Sequence, residues 1–254
     1  MKNLACLCLC TMALSSAYAD HPLPQPFKIT YALSRHGINV GEMTRSLAVT
    51  GDNEYALQSL SKATGLIALF YKEQVFEETR WTYNEHAIHP LIYQYHRSGG
   101  KKIRDVTVEY DWTNGEIRNT SKDTPWRIAL RPELFDNLLY QYMLMQDLNA
   151  GKRELSYQIV DGGRVKTYDI RLLGEEIIDT PLGKLHTVKL ERQKPNSKRK
   201  TTLWCATALH YLAVRLEYLD KDGTVTTFLI DELSGLDAPL TNPHLETLKL
   251  PVTR

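Results

Sequence analysis

Residues 91–112, LIYQYHRSGGKKIRDVTVEYDW, decide the fold. In the second half Val106, Val108, Tyr110 and Trp112 point one way, and Asp105, Thr107, Glu109 and Asp111 the other. Such period-two alternation is what a strand with one buried and one wet face requires. Residues 91–97 have the composition of a partner strand, and Ser98-Gly99-Gly100 supplies a turn between the two arms. The reading is strand, turn, strand. Asn114-Gly115 follows, the pair that a tight type I′ turn prefers because both residues tolerate positive φ.

Outward from this hairpin the same signature repeats. Phe27, Ile29, Tyr31 and Leu33 share a face, with Lys28 and Thr30 on the other. A break at Gly37 precedes a strand over 38–49, and Gly51-Asp52-Asn53 marks the next turn. Residues 54–64 and 74–83 read as strands; 65–71 (GLIALFY) are apolar throughout, which leaves strand and buried helical turn both open. Further strands fall at 154–160, 165–173, 185–192, 201–205, 211–219 and 225–232, with turns at 161–163, 181–183, 195–197 and 222–223. This spacing predicts a mainly β fold, an antiparallel meander curled into a barrel-like or half-barrel sheet.

One segment departs from the pattern. Residues 132–148 (PELFDNLLYQYMLMQDL) open on Pro132, suited to a first helical position, and on Glu133, favourable to the helix dipole. Leu134, Leu138, Tyr142 and Met145 recur at helical spacing, and Phe135, Leu139, Met143 and Leu144 widen the stripe. The pattern predicts one buried α-helix over about 132–148, plugging the sheet.

The N-terminus has the parts of an export signal: Lys2, an apolar run over 4–14, and the small-x-small triplet Ala17-Tyr18-Ala19. Cleavage after Ala19 would leave a periplasmic chain without a transmembrane segment, since the apolar run is about half a membrane span. It divides as signal peptide 1–19, proline-rich leader 20–26, one β-rich domain 27–236 and an irregular tail 237–254. The full chain carries 31 basic and 30 acidic residues, so loss of Lys2 leaves 30 of each. Neutrality and export together argue against nucleic acid. Three of the four cysteines also leave, and Cys205 alone cannot form an intrachain disulfide.

No nucleophile elbow, zinc-protease helix, phosphate loop or dinucleotide fingerprint is present. No catalytic residue and no cofactor is assigned. Cys205 would need a base such as His186 or His210 to act, and reads more simply as a small buried hydrophobe. His86 and His89, beside Glu85, are metal candidates without a third ligand and read more simply as a turn. The basic runs at 194–200 and 101–104 could meet anionic headgroups or wall polymers, but charged hairpin tips also serve solubility. Aromatic residues on the inward phase line either a core or, in an unclosed sheet, an apolar cleft. The candidate cleft residues are Trp81, Tyr95, Trp112, Tyr142, Met145, Trp204 and Tyr218.

Several landmarks together are familiar. Tyr31, Gly41-Glu42, Pro90-Leu91, Tyr95, the run 97–101 (RSGGK), then 180–183 (TPLG), 201–204 (TTLW), Val214-Arg215 and Asp222-Gly223 resemble domain of unknown function 3108, a family of exported bacterial proteins. The resemblance spans about 27–232. It implies a periplasmic β-rich domain with a curled sheet and carries no activity or catalytic residues. Cys205 departs from it, standing where an aliphatic or aromatic residue is expected. The expectation is a non-enzymatic envelope protein with a lipid-like or polymeric ligand. Alternatively, it is an adaptor pairing a strand edge or its tail with another envelope protein, or else an envelope hydrolase.

Overall fold

The computed structural model describes residues 25–84, 87–100, 103–120, 125–193 and 196–236. The signal peptide, most of the proline-rich leader and the C-terminal tail lie outside them. Eight strands form the first half: β1 (Phe27–Arg35), β2 (Ile38–Gly51), β3 (Glu54–Ala63), β4 (Gln74–Asn84), β5 (Ala87–Ser98), β6 (Arg104–Asp111), β7 (Glu116–Asn119) and β8 (Trp126–Ala129). A two-residue β9 (Leu134–Phe135) and the helix α1 (Leu139–Asn149) follow. The second half is β10 (Leu155–Val160), β11 (Val165–Thr180), β12 (Gly183–Gln193), β13 (Lys200–Ala206), β14 (Leu212–Leu219) and β15 (Val225–Ser234).

All strands belong to one sheet in the order 8-7-6-5-4-3-2-1-15-14-13-12-11-10-9, antiparallel except for the β9–β10 pair. The first and last long strands meet in the middle, with Tyr31 opposite Ile230 and Arg35 opposite Thr226. Two meandering wings therefore extend from one central pair. The order does not close: β8 and β9 are edges.

The wings curl around α1, as its contacts show. Arg45 of β2 donates to Gln141, Trp81 of β4 packs on Tyr142, and Tyr140 meets Tyr157 of β10 and Tyr168 of β11. A short helix touched by β2, β4, β10 and β11 is enclosed by both wings. Its buried residues lie all round it, from Leu139 and Tyr140 to Gln146 and Leu148, and one contiguous apolar cluster joins helix and sheet. At the seam Trp126 of the β8 edge covers Gly163 in the β10–β11 turn. A Cβ on Gly163 would lie 2.9 Å from the indole, and its φ is +74°. Glycine is required there on both counts.

Three local expectations are corrected. The helix begins at Leu139, not Pro132: Glu133 has φ +63°, and Leu134–Phe135 pair instead with β10. Asn114-Gly115 is not a type I′ turn. Asp111 pairs with Glu116, and of the residues between them only Gly115 has positive φ, because the Asp111 carboxylate accepts from the Asn114 backbone and side-chain amides and holds a wider loop. Tight turns with positive φ at both positions occur instead at His36-Gly37 and Gly162-Gly163. Finally, the open case over 65–71 resolves as a 3₁₀ turn, Gly65–Leu69, and it is exposed rather than buried.

Candidate functional site

Alternation along β2 sends Met43, Arg45 and Leu47 to the inner face. For a cation this is an unusual place. Arg45 is 7 % exposed; one guanidinium nitrogen donates to Gln141 Oε1 at 3.0 Å, and another lies 3.8 Å from Met43 Sδ. Its Nε has no partner, and among the described residues no carboxylate forms an ion pair with it. A buried charge without a counter-charge is costly, and the cost is ordinarily relieved by pairing.

Arg45 lines a recess between α1 and the sheet. Phe27 of β1, Leu57 of β3, Tyr142 and Met145 of α1, and Leu203 and Cys205 of β13 complete its wall. A second recess adjoins it at the same end of the sheet, sharing Phe27, Tyr142 and Met145 and bounded by Gln25, Asn149, His210 and Leu236. The space they enclose is small, about 20 and 60 Å³. The interior beyond is packed, so a ligand enters only if the unbranched Met145 gives way. The loop closing the mouth is strained: His210 and Tyr211 are consecutive non-glycine residues with φ +51° and +57°. Asn149 at the end of α1 donates to the His210 carbonyl at 2.9 Å and holds that loop against the helix. Strain of this kind persists where surrounding structure enforces it, and it concentrates at ligand sites.

Beneath the other end of α1 lies a second polar feature. Asp136 is 1 % exposed; its Oδ1 accepts from the backbone amides of Leu138 and Leu139 at 2.8 Å, and its Oδ2 from Thr79 Oγ1 at 2.7 Å. It caps the helix from below. Burial pushes its pKa up to about 6, against the pull of those three donors. Tyr93 donates to Glu77 Oε1 at 2.6 Å, and burial beside Glu77 holds the phenol well above its ordinary range. Neither of the two recesses is lined by these carboxyls, and they read as a buried structural network.

The aromatic candidates do not converge on one place. Tyr142 and Met145 line both recesses. Trp81 is fully buried behind Tyr142, its ring 5.3 Å from that ring and 5.8 Å from Tyr55. Trp204 faces the outside of the sheet, where it donates to Glu176 at 3.0 Å under the side chains of Lys189 and Arg215. Tyr95 and Tyr218 are inward residues towards the opposite end of the strands. Tyr95 lies beneath Arg104, and Tyr218 is edge-on to Phe228. Trp112 sits beyond β6, 37 % exposed, stacked on His89 and donating to the Pro90 carbonyl. His89 is thus engaged by an indole, and His86 lies outside the described residues. Among the described residues no cluster of three metal-ligating side chains occurs. Cys205 is buried, and desolvation pushes its thiol up to about 12, away from thiolate chemistry.

Residues 26–230 match the model of a family described as a protein of unknown function, DUF3108. The chain belongs to the DUF3108 family. A β-barrel-like DUF1849 protein from Brucella abortus shares the DUF3108 chain's fold, with TM-score 0.55 and 10 % identity, over 84 % of this chain and 99 % of that one. A Parabacteroides distasonis protein has TM-score 0.33 and 13 % identity over 84 % of this chain and 97 % of its own. No curated protein matches the chain. Neither the DUF3108 description nor the DUF1849 likeness indicates a catalytic function.

Proposed function

We propose that this DUF3108 protein is an exported, non-enzymatic envelope protein that binds an amphipathic anion, an acyl chain bearing a small anionic head. The head would sit on Arg45, and the chain against Phe27, Leu57, Tyr142 and Met145. The observation that carries this reading is the buried guanidinium facing an apolar recess, with no carboxylate paired to it among the described residues. An anion there supplies the missing counter-charge in a low-dielectric setting, where charge-assisted hydrogen bonds are strong. Apolar walls with one convergent polar group are the usual form of a small-ligand site.

Export rests on residues 1–19, outside the described residues; among the described residues no helix is long and apolar enough to cross a membrane. N-terminal sequencing of protein from a periplasmic fraction is expected to begin at Asp20. The adaptor reading rests on a different edge, residues 171–180 of β11, which pair with β12 while β10 covers only 165–170.

Titration of the delipidated mature chain with palmitate, followed by intrinsic tryptophan fluorescence, tests the binding. Arg45→Met is expected to weaken it about tenfold or more, and Arg45→Lys by less, since charge is kept while the planar fork is lost. Equal affinity in all three proteins would remove the reading.

A further inference from the structure

The antiparallel registers place three connections side by side at the end of the sheet opposite the recess. They are the β1–β2 turn, the 3₁₀ segment between β3 and β4, and the loop between β5 and β6. That end carries the most exposed large apolar side chains: Phe70 81 %, Leu66 80 %, Ile103 73 %, Leu69 69 %, Tyr71 66 % and Ile38 63 %. Six such side chains grouped on neighbouring loops are more than the scattered exposure ordinary surfaces show.

The platform beneath them is fixed. Ile67 accepts from the backbone amides of Phe70 and Tyr71 at 3.0 and 2.9 Å, closing the turn that turns Leu66, Leu69 and Phe70 outward. Arg97 of β5 pairs with Glu73 at 2.7 Å, and Gly99 lies so close to the Lys72 carbonyl that no Cβ fits between them. The end of β5 and the residues leading into β4 are therefore held together.

Charge selects the partner. The acids beside these three connections are engaged, Glu42 by Lys62 at 3.0 Å, Glu73 by Arg97, and Asp105 by His96. Asp222 in the neighbouring β14–β15 turn accepts from the Thr224 amide and from no cation among the described residues. Lys72 and Arg104, both exposed, form no ion pair among the described residues. Apolar side chains at this tip, with the exposed cations Lys72 and Arg104 beside them, match the layered chemistry of an anionic bilayer. Hydrocarbon receives the apolar groups, and headgroup phosphates meet the cations.

We infer that this end of the molecule docks on anionic phospholipid membrane, with Leu66, Leu69, Phe70 and Ile103 entering the interface and Lys72 and Arg104 meeting the headgroups. The inference stands independently of the recess, which opens at the other end of the strands.

Co-sedimentation of the mature chain with phosphatidylglycerol-containing vesicles tests it, with pure phosphatidylcholine vesicles as reference. Wild type is expected to sediment with the anionic vesicles, and less so at about 0.5 M salt. The double variant Leu69→Ser/Phe70→Ser should partition about tenfold or more weakly. Lys72→Glu/Arg104→Glu should lose the preference for anionic over neutral vesicles. All four residues are exposed, so unchanged circular dichroism and melting temperature are expected. Wild-type protein remaining in the supernatant, or a double serine variant binding as well as wild type, overturns the inference. So does a concentration-dependent dimer, lost in the serine variant, without vesicle binding; the patch is then a self-association surface.

Discussion

At the residue scale Arg45 and Asp136 stand out among the buried ionisable side chains, which also include Asp147 and Glu191. Arg45 has a cation's desolvation cost without a cation's usual compensation, so an apolar side chain of similar shape should suit the empty protein better. Arg45→Met is expected to raise stability by about 1–3 kcal/mol in urea unfolding without ligand, while losing anion binding. A stability decrease would mean that Gln141 and Met43 already satisfy the guanidinium. Asp136 makes the complementary case. Its folded pKa of about 6 lies above the ordinary carboxylate value of 3.8, so the native state takes up a proton that the unfolded chain does not between those pH values. This contribution is fully present below about pH 4 and is lost as pH rises through 6, a swing of up to about 3 kcal/mol. Asp136→Asn keeps an acceptor for the helix amides and does not titrate. Its advantage over wild type should therefore be largest at pH 8 and shrink towards pH 5 in parallel urea titrations; an advantage that grows on acidification contradicts the assignment. Neither residue was legible as a site in the sequence. Arg45 left a trace, a cation between Met43 and Leu47 on the inward phase, but alternation names a face without saying what shares it. Asp136 was hidden inside an apolar run that reads as continuous helix.

At the element scale hairpins were legible and boundaries less so. Val106, Val108 and Tyr110 turn inward as their alternation requires, and Phe27, Ile29 and Tyr31 do the same on β1. Pro132 and Glu133 satisfy local rules for a helix N-terminus, yet the helix starts at Leu139. The parallel pairing of Leu134–Phe135 with β10 is a tertiary contact that overrides them. The seam offers a direct test of one packing contact. Gly162 and Gly163 both have positive φ, but only Gly163 would press a Cβ against Trp126. Gly162→Ala is expected to cost about 1 kcal/mol and Gly163→Ala clearly more, about 2–3 kcal/mol, by thermal unfolding. Equal costs would show that Trp126 does not close the seam.

At the scale of the whole molecule, the curled sheet was foreseen from strand spacing and the family resemblance, but its order was not. That β1 meets β15, so that both wings hang from one central pair, depends on residues about 200 positions apart, and no local pattern encodes it. Because one apolar cluster runs through both wings and α1, they should unfold together. Trp81, Trp112 and Trp126 report one wing and Trp204 the other. A Trp204→Phe protein and a Trp81→Phe/Trp112→Phe/Trp126→Phe protein, each read by its remaining tryptophans, should therefore show coincident urea transitions once corrected for their own stability changes. Two separate transitions would divide the fold at β1–β15. The account rests finally on the recess between helix and sheet and on the cation that faces it. The most direct measurement is a crystal structure of the mature chain with palmitate. The expected result is a carboxylate about 2.8 Å from the Arg45 guanidinium, with the chain running past Tyr142 and a displaced Met145. Palmitate bound elsewhere, or an unchanged Met145 with the recess empty at saturating ligand, would contradict it.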